Sequence, residues 1–434
     1  MKTESIVFAA KAKGPFALLK RAKTITGRYG LTPTKIDEAL NLFAQSLQQF
    51  NCGASFPITT VVLNRNSHII AKYLNQNIEF LVHGLTHIDY SHLPPDQQFI
   101  HLRRARQIFS HIGIKPTGFR SPYLRRGEDL YKAIEAAGFS YVSNQPVMWD
   151  VLDTDDFTPT TKNNYARALE FYEPWLADRH PALPEFRGNL VEIPVSLPDD
   201  EILLDRLESE GNGLVAKSWQ RILSQTYARG ELFTLQLHPE RTAGCRAGLN
   251  AVLTAARALK PAIWITRMDD LAAWWQARAK VGVTLTQIED EKYRLAVQPL
   301  EGVTVLARNL SVDEPTTAWS DGYQQIENHS ITFHCPIRPI VGLSPDCAPA
   351  LTDFLRQQGF IVEVSDDGSQ YAFYFDLTEF TAGQKLSILN QIEQTDRPLI
   401  RLGRWPHGAK AALSLTGDID ALTLWEYGLR FIGR

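Results

Sequence analysis

The 434-residue sequence holds a small set of residues whose types and spacing could do chemistry. His83 and His87 frame the stretch HGLTH, and Asp418 and Asp420 frame DID far along the sequence. Two imidazoles and one carboxylate form a metal site that keeps coordination positions open for water and substrate. A second acid can then act as a base, and His238 can protonate a leaving amine. This set supports metal-assisted hydrolysis of an amide.

Each of these groups follows an apolar run that resembles a buried strand. The runs are IEFLV before His83, TGF before Arg120, ELFTLQL before His238 and ALSLTG before Asp418. In a barrel of parallel strands, the residues that follow the strands converge on one face, where active sites lie. The spacing of four between the two histidines of HGLTH also predicts that both imidazoles project from one side of a helical turn.

The elements that must position these residues alternate between strands and helices from about residue 33 to residue 278. Thr32 is predicted as the N-cap of the first helix, with Pro33 at its first position, and ASFPITTVVL as the next strand. Continuous apolar strands separated by helices indicate a parallel sheet covered by helices. At this length a barrel is favoured over an open sheet, so the predicted fold class is α/β, a distorted (β/α) barrel.

From about residue 281 the pattern changes to the alternation of antiparallel strands. The stretch SVDEPTTAWSDG is predicted as a polar loop, and a strand, a helix and a hairpin turning at residues 366–368 are predicted after it. Residues 281–404 are therefore expected to form a smaller β-rich and α/β region. No chemistry is assigned to it.

Composition excludes several classes of protein. The net charge of −3, without a basic cluster, argues against a nucleic-acid binder. No apolar stretch reaches the length of a membrane span, and residues 1–16 lack the apolar core of a signal peptide. The four cysteines are scattered without CxxC spacing, which favours free thiols in a reducing compartment. We therefore expect a cytoplasmic location, and homo-oligomerisation is left open.

HGLTH after a strand, RSPY at residues 120–123 and LQLH at residues 235–238 together resemble the polysaccharide deacetylase family, the NodB-homology or carbohydrate esterase family 4 group. The resemblance implies a distorted (β/α) barrel that removes acetyl groups from N-acetylated sugars with zinc or a related divalent ion. The acidic first motif of the family, TFDD or FDxD, normally lies near the start of the domain. Here it is missing before His83 and stands instead as LTGDID at residues 415–420.

The displaced motif resembles a circular permutation of the family's barrel, or equivalently other domains lodged between barrel parts. We therefore expect residues 1–280 to form the deacetylase-like barrel and residues 405–434 to complete it with a strand and a helix. Residues 281–404 would be an accessory region between these two parts.

The resemblance also implies roles for single residues. It implies one divalent metal, with zinc as the family default and Co²⁺ or Ni²⁺ as other occupants, held by Asp420, His83 and His87. It implies four catalytic groups: Asp418 as the base, His238 as the general acid, Arg120 to orient the base, and the Tyr123 backbone N–H as the oxyanion donor. The expected partner is a carbohydrate substrate.

One position departs from the family pattern. Where the family often has an acid that holds its arginine, after AAGFSY, this chain has Val142, and Asp150 is a candidate replacement. Two other functions are therefore kept open: hydrolysis of cyclic imides or ureides on the same barrel, and glycan binding by an inactive barrel. An open groove lined by aromatic residues favours a glycan, whereas a small closed pocket favours a cyclic ureide.

Overall fold

The computed structural model describes residues 24–208 and 213–430. Its strands in the first part of the chain are β1 (Ala54–Ile58), β2 (Ile78–Val82), β3 (Gly118–Phe119), β4 (Tyr141–Val142), β5 (Pro146–Met148), β6 (Trp175–Leu176), β7 (Glu185–Arg187), β8 (Leu190–Glu192), β9 (Val195–Leu197), β10 (Leu232–Leu237) and β11 (Ile263–Thr266). The later strands are β12 (Val283–Glu289), β13 (Lys292–Val297), β14 (Val305–Arg308), β15 (Ser311–Val312), β16 (Thr316–Ala318), β17 (Tyr323–Ile326), β18 (Ser330–His334), β19 (Arg338–Leu343), β20 (Val362–Val364), β21 (Tyr371–Phe375), β22 (Leu399–Leu402) and β23 (Ala411–Gly417).

The α-helices follow a short helical stretch over residues 24–28. They are α1 (Thr34–Gln49), α2 (Thr60–Arg65), α3 (Ser67–Ile70), α4 (Pro95–His111), α5 (Glu128–Ala136), α6 (Pro159–Tyr172), α7 (Leu214–Ala228), α8 (Thr242–Ala258), α9 (Met268–Arg278), α10 (Pro349–Gln357), α11 (Lys385–Glu393) and α12 (Leu424–Leu429). In the described residues, no helix is both long and apolar enough to span a membrane.

The main sheet has twelve strands in the order β6-β5-β9-β10-β23-β1-β2-β3-β4-β8-β7, with β11 also paired to β23. Its pairings are parallel except that of β7 with β8. Strand β8 lies near one end of this order and β9 near the other, yet only two residues separate them along the chain. The sheet therefore curls back on itself, with β8 paired to β4 and β9 paired to β10. The α/β prediction of a distorted barrel is confirmed.

Strand β23 lies inside this sheet, between β10 and β1. Its residues 412–417 pair in register with residues 232–237 of β10, and Thr416 pairs with Ser55 of β1. All seven residues of β23 are buried, as expected of a parallel strand covered on both faces. The last strand of the chain therefore belongs to the barrel, while circular permutation as its origin stays a prediction.

Two local predictions near β1 need correction. Helix α1 begins at Thr34 with Pro33 as its N-cap residue, one position later than expected. The strand predicted over ASFPITTVVL ends at Ile58, and residues 60–65 are helical. The reason is that the backbone N–H groups of residues 60 and 61 donate to the carbonyls of Gly84 and Leu85, so the chain turns to support the HGLTH loop.

The accessory region contains three small sheets, in the orders β12-β13-β18-β15, β16-β17-β14-β22 and β20-β19-β21. The loop predicted for SVDEPTTAWSDG was wrong, because β15 and β16 lie in it. The hairpin predicted at residues 366–368 was also wrong. Strands β20 and β21 both pair in parallel with β19, one on each edge, because β19 is buried along five of its six residues and needs a partner on both sides.

The accessory region packs at the amino ends of the barrel strands. Nη1 of Arg404 donates to the carbonyl of Gly230 at 2.7 Å, just before β10 begins. One apolar cluster joins barrel residues such as Leu232 and Trp275 to accessory residues such as Val341 and Leu355. The carboxyl ends of the barrel strands lie at the opposite end.

Candidate functional site

The residues predicted to do chemistry meet at the carboxyl ends of four barrel strands. His83 follows β2, Arg120 follows β3, His238 follows β10 and Asp418 follows β23. Since these strands are neighbours or near neighbours and run parallel, their ends open at one edge of the barrel. His83, Arg120 and Asp418 are buried there.

The two histidines converge on one carboxylate oxygen. Nε2 of His83 lies 3.3 Å from Oδ1 of Asp420, and Nε2 of His87 lies 3.2 Å from the same atom. The three ligand atoms lie within 4.8 Å of one another. This grouping has the size and the donor set of a metal site.

The histidines do not share a helical turn, so that part of the sequence interpretation was wrong. Residues 85–88 form a bend, and Gly84 just before it has φ of +83°. The Tyr90 hydroxyl accepts a hydrogen bond of 2.7 Å from the Leu85 backbone N–H and holds the bend. The positive φ favours glycine, and the turn brings the imidazoles together where a helix was expected.

The three groups fit a divalent cation. Nδ1 of His83 lies 2.8 Å from the Arg120 carbonyl, which can only accept, so a neutral ring carries its lone pair on Nε2. Oδ1 of Asp420 is buried and lacks a hydrogen-bond partner among the described residues. Acceptor atoms that face each other without a donor are what a cation would satisfy.

The charge states of these groups also fit. Burial, together with the nearby Arg430 guanidinium, lowers the pKa of His87 to about 3. Burial alone would raise the pKa of Asp420, but the Arg430 guanidinium holds it well below its ordinary value. A neutral imidazole and an ionised carboxylate are the forms that bind metals.

Asp418 is held by Arg120 and Gln236. Nη1 of Arg120 donates to Oδ1 of Asp418 at 2.7 Å, and Nε2 of Gln236 donates to the other oxygen at 3.0 Å. The Arg120 side chain is fully buried, so this ion pair is shielded from water. The carboxylate therefore has a fixed orientation at the carboxyl end of β23.

Ser143, the residue after Val142, helps to orient the Arg120 side chain in place of the acid that the family often has there. Nη2 of Arg120 donates to the Ser143 hydroxyl at 2.8 Å, and Nε donates to the Ser143 carbonyl at 3.2 Å. Asp150 is exposed and does not fill this place. Among the described residues, Asp418 is thus the carboxylate that pairs with Arg120.

His238 forms a dyad with Asp200, a residue that the sequence analysis missed. Oδ2 of Asp200 accepts a hydrogen bond of 2.7 Å from the His238 backbone N–H. Oδ1 of Asp200 lies 2.7 Å from Nδ1 of the His238 ring. Burial lowers the pKa of His238, but the Asp200 carboxylate outweighs this and raises it to about 10. The only sequence signal was the acidic pair in SLPDDE after a buried strand.

Tyr123 and Arg430 complete the wall beside the histidines. Tyr123 has φ of +61°, and its ring packs edge-on against His87 at 4.7 Å between centroids. Nη1 of Arg430, just after helix α12, lies 2.8 Å from Oδ2 of Asp420. No sequence pattern points to Arg430, because its role depends on where α12 packs.

Residues 33–142 match the family model described as polysaccharide deacetylase. No curated protein matches the chain.

Several solved structures are distantly similar. One is a putative polysaccharide deacetylase from Mycobacterium smegmatis, with 20% identity, coverage of 58% of this chain and 81% of that chain, and a TM-score of 0.43. The Puue allantoinase has 18% identity, coverage of 55% and 72%, and a TM-score of 0.43. A probable polysaccharide deacetylase from Pseudomonas aeruginosa has 17% identity, coverage of 55% and 73%, and a TM-score of 0.43.

These structural likenesses are too distant to decide an activity, so the assignment depends on the family match. That match includes His83, His87, Arg120 and Tyr123. It agrees with the resemblance that HGLTH and RSPY showed in the sequence. Residues 33–142 of this chain therefore match the polysaccharide deacetylase family both by its model and by these motifs.

Proposed function

We propose that this protein is a metal-dependent hydrolase that removes an acyl group, the N-acetyl group, from a carbohydrate amine. The observation that supports this proposal most strongly is the convergence of the His83 and His87 Nε2 atoms on Oδ1 of Asp420, which accepts no hydrogen bond from the residues that the structure describes. Asp418 and the His238–Asp200 dyad add a base and an acid at the ends of adjacent strands.

The proposed ligands are Asp420, His83 and His87, two nitrogens and one oxygen. Zn²⁺ suits this donor set, and Co²⁺ and Ni²⁺ are alternative occupants. When bound, such a cation supplies Lewis-acid chemistry, because it polarises an amide carbonyl and makes a water molecule more acidic.

Asp418 is the proposed base. Arg120 and Gln236 each donate one hydrogen bond to a different oxygen of Asp418, and a carboxylate oxygen can accept more than one, so room for a proton is left. Water adds to the amide carbon, and its proton passes to Asp418. The Tyr123 backbone N–H is the proposed donor to the oxygen that becomes negative in this step.

His238 is the proposed acid. With a pKa of about 10 in the free protein, its imidazole is protonated at neutral pH, and Asp200 fixes its orientation through Nδ1. When the C–N bond breaks, the amine nitrogen takes the proton from His238. The products are the acid, which ionises to acetate, and the amine; Asp418 releases its proton to solvent and His238 takes one up, which restores both groups.

The proposal includes the division of the chain. Residues 1–280 and 405–434 would form one barrel, with residues 281–404 as an accessory region. The supporting observations are the place of β23 between β10 and β1 and the separate small sheets of the accessory region. Residues 1–23, 209–212 and 431–434 of these ranges lie outside the described residues.

The test is acetate release from a panel of N-acetylated oligosaccharides, with cyclic imides and ureides as a second panel. Wild-type protein loaded with Zn²⁺ is expected to release acetate, and Asp418→Asn is expected to lose this activity. Exposed Asp153 provides a matched control, since Asp153→Asn changes a carboxylate away from the site. Turnover of the cyclic compounds alone, or glycan binding without turnover, would contradict the deacetylase proposal.

A further inference from the structure

Arg430 lies against two of the three proposed metal ligands. Its Nη1 is 2.8 Å from Oδ2 of Asp420, and its Nη2 is 3.0 Å and 3.2 Å from the two ring nitrogens of His87. Its guanidinium also contacts the hydroxyl of Tyr123. A cation of the protein therefore already occupies the rim of the site.

The guanidinium leaves the ligand atoms free. Since Nη2 is almost equally far from both nitrogens of the His87 ring, it lies over the face of the imidazole and along neither lone pair. Nε2 of His87 still approaches Oδ1 of Asp420. Arg430 thus engages Oδ2 of Asp420 and leaves Oδ1 to the metal.

Helix α12 holds Arg430 in this place. Thr423 and Glu426 form a capping box at its start, and Glu426 also accepts from the side chain of Asn66 at 2.7 Å. The Leu424 backbone N–H donates to the carbonyl of Gly30 at 2.8 Å. These hydrogen bonds attach both sides of the helix to the barrel. The backbone of Arg430 is therefore held in a fixed position relative to Asp420.

The charge of Arg430 acts at short range because the pair is removed from water. Side-chain exposure is 16% for Arg430 and 9% for Asp420, so solvent screens their interaction poorly. A divalent cation on Oδ1 must share the Asp420 charge with the guanidinium and is also repelled by it. A guanidinium stays protonated, so this repulsion persists at any working pH.

We propose that Arg430 is a positioning residue that restricts Asp420 to one ligand oxygen and weakens the binding of the divalent cation, which leaves the centre electron-poor. This inference rests on the metal site of the proposed function. A residue that only supported the fold would have the opposite effect, because its loss would disorder Asp420 and weaken metal binding.

The experiment measures the Kd for Zn²⁺ by chelator competition, and the visible spectrum with Co²⁺, in the full-length protein. Arg430→Gln and Arg430→Met remove the charge and are expected to bind Zn²⁺ about tenfold more tightly than wild type or better. Their Co²⁺ spectra are expected to change as Asp420 gains a second ligand oxygen. Arg430→Lys keeps the charge and is expected to stay within about threefold of wild type.

Trp425→Ala is the matched control, since Trp425 lies on the same helix and is exposed. It is expected to leave the Kd unchanged. Neutral variants that bind Zn²⁺ equally or more weakly would overturn the inference, and so would an Arg430→Lys protein that binds tenfold more tightly. Wild-type protein without any metal affinity would instead overturn the proposed function.

Discussion

The two ends of the barrel both bury charged side chains, but they use them differently. At the amino ends of the strands, the Arg278, Arg401 and Arg404 guanidinium groups crowd together against the end of helix α10. Arg278 donates to the Gln357 carbonyl, and Arg401 donates to the Gln358 carbonyl at 2.5 Å. These cations satisfy the free carbonyls of a helix C-terminus, which is a structural role.

At the carboxyl ends, buried acceptors are left without donors. Oδ1 of Asp420 is the clearest example, since two imidazole nitrogens face it and no hydrogen bond satisfies it in the described part of the chain. Buried charge alone therefore does not identify a functional site. Buried acceptors that converge on one point do, because only an additional cation or proton completes them.

The largest effect is expected from removing the strand that carries the two acids. Deletion from Ala411 onward removes β23, whose seven residues are buried between neighbours on both edges. At roughly 1.5–3 kcal/mol for each large buried side chain, Leu413, Leu415 and Leu422 alone approach the usual stability of about 5–15 kcal/mol for a domain. Circular dichroism and metal analysis should show an unfolded or insoluble protein without metal.

A soluble, metal-loaded and active truncation would contradict the place of β23 in the barrel. Trp425→Ala is again a useful control, because it changes an exposed residue of the same segment. That variant is expected to fold and bind metal as wild type does.

The next prediction separates the two acids of DID. Asp418→Asn should keep the metal, because the proposed ligand is Asp420, and should lose about 10²–10⁴ in kcat because the base is gone. Metal content and kcat measured on the same preparation check this. Loss of metal from Asp418→Asn would mean that the roles of the two acids are reversed.

One buried arginine at each end of the barrel can be substituted to test whether buried charge has a different role at the two ends. Arg120→Met leaves the Asp418 carboxylate buried and unpaired, and is expected to cost about 3–5 kcal/mol and abolish turnover. Arg278→Met removes a buried cation that has arginine neighbours, and is expected to change stability by about 1 kcal/mol or less and leave kcat unchanged. Urea unfolding and kcat measure both, and equal costs for the two variants would break the comparison.

The smallest effect concerns pH. The pKa of His238 is raised from 6.5 to about 10, so the His238–Asp200 pair stabilises the fold fully below about pH 6.5 and loses this contribution as pH rises through about 10. Asp200→Asn should return the pKa toward its ordinary value. The alkaline limb of kcat/KM should then move to lower pH by at least about one unit. An alkaline limb of kcat/KM that stays at the same pH in Asp200→Asn would show that His238 is not the general acid.

Sequence reasoning predicted the parts of the site that follow strands. His83, Arg120, His238 and Asp418 each stand directly after an apolar run, and parallel strands bring such positions together whatever their distance along the chain. The barrel itself was predictable for the same reason, because continuous apolar strands alternate with helices.

Other features depend on packing that local patterns do not contain. Asp200 reaches His238 from a connection after β9, and Arg430 reaches Asp420 only because α12 is tied to Asn66 and Gly30. The spacing of HGLTH suggested a helix, whereas Gly84 and the Tyr90 hydroxyl impose a bend. The turn sequence between β20 and β21 predicts a hairpin, but each of these strands pairs with β19.

Metal stoichiometry tests the proposed site of His83, His87 and Asp420, on which the proposed hydrolase activity depends. Purified wild type, His83→Ala and His92→Ala would be loaded with Zn²⁺, dialysed and analysed for metal per chain. His92 is a suitable control because its side chain is 74% exposed. The account predicts one Zn²⁺ per chain in wild type and His92→Ala and none in folded His83→Ala. A wild type without metal, or one Zn²⁺ per chain in His83→Ala, would contradict it.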